Sequence, residues 1–185
     1  MRAVDSRVTF AELQQLPDTG YRYRIELYDG EVIVVPSPFA RHQRVAYHIG
    51  QVLDEYEAAT GGLMFCVPID IVFSPYDVVQ PDVVFFRKER RHLIDMHTTT
   101  EAAPDLAVEV LSRSTARRDR GRKMELYARY GVPEYWIVDP VANTLEVYVL
   151  TGTAYELAGT YDSDADVRSP TLAGLSFAAR RIFEE

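Results

Sequence analysis

Hydrophobic and polar residues alternate in the first patterned segment of the chain. In residues 21–28 (YRYRIELY) a hydrophobic side chain occupies every second position, a period that is typical of a half-buried strand. Asp29-Gly30 is a pair that favours a tight turn, and residues 31–35 (EVIVV) are again rich in β-branched side chains. The pattern therefore predicts a β-hairpin over residues 21–35.

A helical spacing of hydrophobic residues follows this hairpin. Apolar side chains three and four positions apart predict a long helix over residues 39–59, which ends at Gly61-Gly62. Residues 63–73 are predicted to form one strand that bends near Pro68, and residues 82–86 form a short apolar strand. The long helix is thus expected to lie between two strand regions.

The middle of the chain predicts a strand, a helix and a second strand. Residues 105–111 (DLAVEVL) are almost entirely apolar, residues 115–130 have helical spacing, and residues 134–138 (EYWIV) again have strand character. Such a unit favours a parallel, right-handed crossover. With a second hairpin at residues 144–159, the predicted fold class is α/β, a mixed sheet flanked by helices with antiparallel hairpins at both ends.

Length and composition are those of a globular protein. The chain has 185 residues, of which 47% are hydrophobic and 26% charged, so we expect residues 1–185 to form a single domain. Cys66 is the one cysteine in the sequence, which excludes an internal disulfide and a Cys-based zinc cluster. Because the sequence shows neither a membrane-spanning apolar stretch nor a signal-peptide core, the expected location is cytoplasmic, with no membrane partner.

The charge distribution argues against a broad nucleic-acid-binding surface. The net charge is −8, from 20 basic and 28 acidic residues, and an acidic surface repels a polyanion. Residues 112–123 (SRSTARRDRGRK), however, carry six basic residues against one acid. This segment either attracts a polyanion locally or forms a solvated helix face, and the sequence supports both interpretations.

Two acidic residues in apolar strands are candidates for chemistry. Asp82 begins one predicted strand and Glu109 lies inside another. Burying a carboxylate without a partner is costly, so each acid requires either an arginine in a structural ion pair or a bound cation. Carboxylate oxygens are suitable ligands for Mg²⁺, Mn²⁺ or Ca²⁺.

The predicted helix after the Glu109 strand adds a basic group. Asp119, Lys123 and Tyr127 are spaced four residues apart and therefore share one stripe of this helix. Because the helix must pack back onto the sheet, its inner stripe brings Lys123 towards Glu109. Two carboxylates and one ammonium group form the minimal set for metal-assisted hydrolysis of a phosphodiester.

Several segments together resemble the Uma2 family. They are Pro81-Asp82, residues 104–112 (PDLAVEVLS), Asp119-x-x-x-Lys123-x-x-x-Tyr127, residues 131–136 (GVPEYW), residues 25–31 (IELYDGE) and His42-Gln43. The resemblance covers residues 20–150. It implies the restriction-endonuclease-like fold of the PD-(D/E)xK nucleases, with a divalent metal, Mg²⁺ or Mn²⁺, as cofactor.

The resemblance also implies roles for particular residues. Asp82 corresponds to the acid of the PD element and Glu109 to the acid of the (D/E)xK element, and both are expected to bind the metal with the backbone carbonyl of Val110. The lysine that usually lies two positions after the second acid is Leu111 here. The family is thought to supply this lysine from the following helix, which points to Lys123 as the catalytic lysine.

Four further residues are candidates for a supporting or catalytic role. Glu26 is either a third catalytic acid or a partner of a neighbouring arginine, Arg22 or Arg24. His42 is either a hydrogen-bonded core histidine or a catalytic group at the edge of the site. Asp119 is expected to position Lys123 through a pair four residues apart, and Tyr127 is expected to support the site through packing.

The leading functional hypothesis is a Mg²⁺- or Mn²⁺-dependent endonuclease that hydrolyses DNA phosphodiester bonds. The alternative is a non-catalytic binding or regulatory module that keeps the nuclease fold, which the net charge of −8 and Leu111 favour. A metal-dependent enzyme that acts on another phosphate ester is a third hypothesis. With 12 tyrosines in a chain of this size, a homodimer is expected, because aromatic residues are enriched at interfaces.

Overall fold

Strands and helices alternate along the part of the chain that the computed structural model describes, residues 7–15, 24–66 and 69–184. The strands are β1 (Arg24–Tyr28), β2 (Glu31–Val35), β3 (Leu63–Phe65), β4 (Ile71–Ser74), β5 (Asp77–Val79), β6 (Val83–Phe86), β7 (Leu106–Val110), β8 (Glu134–Asp139), β9 (Thr144–Thr151), β10 (Ala154–Asp162), β11 (Asp166–Arg168) and β12 (Ser176–Ala178). The helices are α1 (Phe10–Gln14), α2 (Ala40–Thr60), α3 (Ala116–Arg118), α4 (Met124–Arg129) and α5 (Arg180–Phe183), with a 3₁₀-helix at Lys88–Leu93 and a π-helix at Asp119–Lys123.

The larger sheet has six strands in the order β10-β9-β8-β7-β6-β3. β7 and β8 pair in parallel through the helical crossover between them, and the other neighbours in this sheet pair antiparallel. Every residue of β7 is buried, as expected for a strand with both faces covered. The predicted strand–helix–strand unit and the mixed sheet are therefore confirmed.

Helices cover both faces of this sheet. On one face, Val45, Ile49 and Leu53 of α2 pack with α5 against the sheet. On the other face, Leu126 and Tyr127 of α4 pack against a second core. Each fully buried aliphatic side chain contributes about 1.5–3 kcal/mol. Within the described ranges, no helix is both long and apolar enough to cross a membrane.

The predicted N-terminal hairpin forms β1 and β2 of a second, four-stranded sheet with the order β2-β1-β5-β4. Tyr28 pairs with Glu31 across the turn, where Asp29 and Gly30 have φ angles of 50° and 77°. Two successive positive φ angles are the geometry that Asp-Gly favours. Residues 21–23 of the predicted hairpin lie outside the described residues.

The single strand predicted over residues 63–73 is wrong. The segment supplies β3, which pairs with β6 in the larger sheet, and β4, which pairs with β5 in the smaller one. Both pieces are apolar because each packs in a sheet, so hydrophobic pattern alone does not reveal that the chain changes sheets. Pro68, the predicted bend, lies outside the described residues.

The helix predicted over residues 115–130 is interrupted by the π-helix at Asp119–Lys123. A π-turn holds one residue more than an α-turn, and such insertions often occur at functional sites. Asp119 and Lys123 are both buried, as is Tyr127 in the α-helix that follows. The three residues thus share the buried side of the crossover, as predicted, although the helix between them is not a regular α-helix.

A buried carboxylate fixes the C-terminal segment to the sheet. Glu134 at the start of β8 is 0% exposed. It accepts hydrogen bonds from Trp136 Nε1 (2.6 Å), Ser169 Oγ (2.8 Å), the Thr171 amide (2.9 Å) and the Thr171 hydroxyl. These neutral donors satisfy the carboxylate, so Glu134 serves the fold.

Candidate functional site

A cavity of about 340 Å³ is lined by residues of both sheets, the start of α2 and the helical segment after β7. Its apolar side is the segment from Val35 to Phe39, and Arg113, Ser114 and Arg118 lie on its polar side. Seven residues predicted for the site line this cavity: Glu26, His42, Asp82, Glu109, Val110, Asp119 and Lys123. The chain therefore brings most of the candidate residues to one place.

Lys123 lies between two glutamates at the bottom of the site. Its Nζ is 2.7 Å from Oε1 of Glu109 and 2.8 Å from Oε1 of Glu26, and its side chain is 2% exposed. Burial alone would lower the pKa of Lys123, but the charges of Glu109 and Glu26 outweigh burial and raise the pKa well above its usual range. Lys123 is therefore held as an ammonium ion.

Glu109, near the end of β7, is contacted by a second donor. The Tyr127 hydroxyl donates to Oε1 of Glu109 over 2.8 Å. Burial raises the pKa of Glu109 to about 8, with repulsion from Asp82, Asp119 and Glu26 adding to the rise and Lys123 opposing it. The prediction that Tyr127 acts by packing alone is thus incomplete, because Tyr127 also orients the Glu109 carboxylate.

Asp82 lies just before β6 and is bound by three donors. Arg24 is 3.0 Å from Oδ1, His42 Nε2 is 3.1 Å from Oδ2, and the Val110 amide donates to Oδ2 over 2.9 Å. Burial would raise the pKa of Asp82, but His42, Arg24 and Lys123 lower the pKa to about 2. Asp82 is therefore ionised and already has an arginine partner, one of the two alternatives that the sequence left open.

Glu26 is buried and does not pair with Arg24. Its carboxylate accepts from Lys123, from the Tyr28 hydroxyl (2.9 Å) and from the Gln80 amide (3.0 Å). Burial would raise its pKa, but Lys123 and Arg118 lower it. The alternative in which Glu26 pairs with Arg24 is wrong, because that arginine binds Asp82 instead, and Arg22 lies outside the described residues.

Asp119 does not form the predicted ion pair with Lys123. Among the described residues its ion-pair partner is Arg118, whose Nε is 3.9 Å from Oδ1. Lys123 instead reaches the two glutamates. Oδ1 of Asp119 is buried without a hydrogen-bond partner in this part of the chain, and burial raises the pKa of Asp119. Lys123 still acts on Asp119 through its charge.

Two residues of the network were missed at the sequence level. Arg118 lies 3.7 Å from Oε2 of Glu26, and Tyr28 donates to the same oxygen. Tyr28 could have been found, because side chains two positions apart on a strand share a face. That rule places Arg24, Glu26 and Tyr28 together on β1.

The chain matches the family model of Uma2, described as "Putative restriction endonuclease", over residues 10–180. The chain belongs to the Uma2 family. A crystal structure described as that of a "putative nuclease belonging to DUF820" from Anabaena variabilis has a similar fold, with a TM-score of 0.76. Its sequence is 22% identical, and the match covers 95% of this chain and 97% of that one. No curated protein shows significant similarity to this Uma2 chain.

The chemistry of the cavity fits a divalent cation, the cofactor that restriction-endonuclease-like families generally use. Asp82 and Glu109 provide hard oxygen ligands, and Oδ1 of Asp119 has no hydrogen-bond partner among the described residues. The carboxylates repel one another enough to contribute to the raised pKa of Glu109, and a cation relieves such repulsion. No three His, Cys, Asp or Glu side chains within residues 7–15, 24–66 and 69–184 form a ready metal cage.

Proposed function

We propose that this Uma2 protein is a divalent-metal-dependent nuclease that hydrolyses DNA phosphodiester bonds at the cavity. One observation carries the proposal: Asp82, Glu109 and Lys123, distant in sequence, line one cavity with the Lys123 ammonium 2.7 Å from Glu109. Two acids and an ammonium ion match the requirements of metal-assisted phosphoryl chemistry. The family match supports the same reaction class.

Each residue has a role in this proposal. Asp82 and Glu109, with the Val110 carbonyl, would hold Mg²⁺ or Mn²⁺, which when bound polarises the phosphate and lowers the pKa of a coordinated water. Lys123 places a fixed positive charge where negative charge develops on the phosphate during attack by water. Tyr127 holds the Glu109 carboxylate in one orientation through its hydrogen bond.

The surrounding residues supply the remaining groups of the proposed site. His42, whose Nε2 is 3.1 Å from Oδ2 of Asp82, helps to keep this acid ionised and is a candidate catalytic group at the edge of the cavity. Glu26 holds the other side of the Lys123 ammonium and is a candidate third acid. Both are in direct contact with a residue of the proposed catalytic set, His42 with Asp82 and Glu26 with Lys123.

Cleavage of supercoiled plasmid tests this function. Wild-type protein with Mn²⁺ or Mg²⁺ is expected to give nicked or linear product, and EDTA is expected to abolish it. Glu109→Gln and Lys123→Met are each expected to slow cleavage by about 100-fold or more. Glu156→Gln is the matched control, because Glu156 is exposed on β10. Full activity in Glu109→Gln would contradict the proposal.

A non-catalytic module is the second candidate, and one observation favours it. Both oxygens of Asp82 are already bound by protein donors, and Lys123 already neutralises two glutamates. The network is thus largely satisfied without a metal. Calorimetric titration with Mn²⁺ separates the two candidates, because heat that disappears in Glu109→Gln supports the nuclease and a silent titration supports the module.

The substrate, the oligomeric state and the cellular location can each be tested directly. Activity on a small phosphodiester such as bis(p-nitrophenyl) phosphate, without plasmid cleavage, would favour an enzyme that acts on another phosphate ester. We propose a homodimer, which sedimentation velocity measures directly. We also propose a cytoplasmic location, which fractionation of the native cells measures.

A further inference from the structure

Phe39 is an exposed aromatic residue at the edge of the cavity. It lines the cavity, yet 78% of its surface is exposed. Phe39 is also the N-cap of α2 and makes no side-chain capping hydrogen bond, although Ser, Thr, Asp or Asn at this position would stabilise the helix. Phe39 therefore serves neither the core nor the helix cap, and its flat ring faces the solvent beside the candidate site.

Two arginines of residues 112–123, of which Arg113 lines the cavity, have no acidic partner among the described residues. Of the six basic residues in positions 112–123, four are neutralised by named acids, namely Arg118, Arg120, Arg122 and Lys123. Arg113 and Arg117 are exposed and form no ion pair with any described residue. Arg113 lines the cavity. Arg117 does not line it, but it lies on the exposed side of α3, one residue before Arg118, which does. These two positive charges are thus available to a ligand.

The cavity and the net charge favour one strand over two. A volume of about 340 Å³ lies at the lower end of ligand-sized pockets, so the cavity holds one nucleotide-sized group, as offered by a single strand or by a strand that is locally opened in a supercoiled plasmid. Duplex DNA carries one negative charge per about 1.7 Å of its axis, twice the charge density of one of its strands. A protein with a net charge of −8 therefore repels a duplex more strongly than it repels a single strand. An aromatic ring beside unpaired arginines is the usual arrangement for binding a single strand.

We propose that Phe39, Arg113 and Arg117 form a binding site for single-stranded DNA, the substrate class of the nuclease proposed above. One base stacks on the Phe39 ring, and neighbouring phosphates contact the two arginines. This arrangement leads the strand into the cavity towards Lys123. This inference rests on the proposed function, because it names the substrate class of that nuclease. The binding of the strand itself does not require catalysis and can be measured without it.

Fluorescence anisotropy in EDTA tests this site, because the proposed cleavage requires a metal and EDTA removes it. The probes are a labelled single strand of about 12 nucleotides and the same strand in a blunt duplex, at low salt. The single strand is expected to bind at least about tenfold more tightly than the duplex. Phe39→Ala is expected to weaken single-strand binding by about 5- to 150-fold. Tyr47→Ala is the matched control, since Tyr47 is 51% exposed on the same helix but does not line the cavity.

The arginines are tested through the salt dependence of binding. Each lost phosphate contact lowers the slope of log K against log salt by about 0.7 for a single strand. Arg113→Gln combined with Arg117→Gln is therefore expected to lower the slope by about 1.4. Arg168→Gln, an exposed arginine on β11, is expected to leave the slope unchanged.

Different results would overturn the single-strand site and the proposed nuclease. Equal or tighter binding of the duplex, no measurable binding at low salt, or a Phe39→Ala affinity equal to that of Tyr47→Ala would overturn the single-strand site. Tighter binding of an RNA strand of the same sequence would overturn the assignment to DNA. Single-strand binding without plasmid or oligonucleotide cleavage would leave this site standing and overturn the proposed nuclease.

Discussion

The ammonium nitrogen of Lys123 lies 2.7 Å from Oε1 of Glu109, although one side chain comes from a π-helix and the other from a central strand. Both residues are almost completely buried. The same nitrogen also holds Glu26. Because Lys123 compensates two buried carboxylates, it is the charge on which the electrostatics of the site depend.

Replacing Lys123 is expected to destabilise the protein strongly. Lys123→Met keeps the hydrophobic stem but leaves Glu26 and Glu109 without their shared cation, at an expected cost of about 3–5 kcal/mol in the free energy of unfolding. Urea unfolding at about pH 9, above the pKa of about 8 of Glu109, measures this cost. Arg120→Met is the control: its ion pair with Glu146 is partly exposed, so a loss of no more than about 1 kcal/mol is expected. Equal losses in the two variants would contradict this account.

The stability of the protein is expected to fall as the pH rises from about 4.5 to about 8. The pKa of Glu109 rises from 4.5 to about 8 on folding. Between these two values the folded state keeps a proton that the unfolded chain loses, so the free energy of unfolding falls as the pH rises. The effect is on the order of a few kcal/mol. Urea unfolding at a series of pH values in EDTA measures it.

Glu109→Gln is expected to flatten this pH dependence, because glutamine has no proton to lose. Glu156→Gln, on the exposed surface, is expected to retain it. Asp82 has the opposite effect, at low pH. Its pKa is lowered to about 2, so its contribution to the free energy of unfolding is complete above its usual pKa and is lost as the pH falls through about 2. An unchanged slope in Glu109→Gln would show that other groups cause the dependence.

Removing the Tyr127 hydroxyl is expected to affect both stability and cleavage. Tyr127→Phe keeps the packed ring but removes the donor to Glu109, at a cost of about 1.5–3 kcal/mol, and it frees the carboxylate to rotate. Tyr148→Phe is a matched control, because Tyr148 donates to Glu146 outside the cavity. Thermal unfolding and plasmid cleavage measure the two effects, and only Tyr127→Phe is expected to reduce cleavage.

The extra residue of the π-helix is expected to be necessary for the site. Deleting Gly121 leaves Asp119 three positions before Lys123 instead of four. In an α-helix this turns the two side chains relative to each other by about 100° and moves them about 1.5 Å closer along the axis, so Asp119 loses its position relative to Lys123 although both stay on one side of the helix. Loss of cleavage is expected. Gly121→Ala is the control, because an added Cβ meets nothing within 4 Å, and it is expected to retain cleavage. Cleavage by the deletion variant would show that the π-turn is dispensable.

Glu134 provides a contrast with the acids of the cavity. Glu134→Ala removes the acceptor of Trp136, Ser169 and Thr171, and an expected loss of about 3 kcal/mol follows from the buried donors left unsatisfied. Glu134→Gln keeps one acceptor oxygen and is expected to lose less. Calorimetric titration of both folded variants with Mn²⁺ is expected to match the wild type, whereas a lost metal signal would connect Glu134 to the site.

The sequence could predict features that depend on neighbouring residues. The turn at Asp29-Gly30 follows from the two positive φ angles that this pair tolerates. The shared stripe of Asp119, Lys123 and Tyr127 follows from their spacing. Both survive in the structure because local preference and tertiary packing agree.

Features that depend on distant residues could not be predicted in this way. Glu26 and Arg24 were expected on a polar face of β1, yet Glu26 is buried because Lys123, 97 positions away, compensates its charge. Arg24 likewise bonds Asp82 across 58 positions. Alternation along one strand reports which side chains share a face, but not whether a cation from another element covers that face.

Lys123 lies on the helical crossover, whereas Glu109 lies on β7. The site therefore exists only while the crossover stays packed against the sheet. Partial detachment of the crossover would part the amine from the acid while the sheet remained intact, and such local opening costs less free energy than global unfolding. On heating, cleavage is then expected to stop at a lower temperature than the one at which the circular-dichroism signal of the strands declines. The lifetime of the reactive groups as a unit is then set by how firmly the crossover stays packed on the sheet, and not by the stability of the sheet itself.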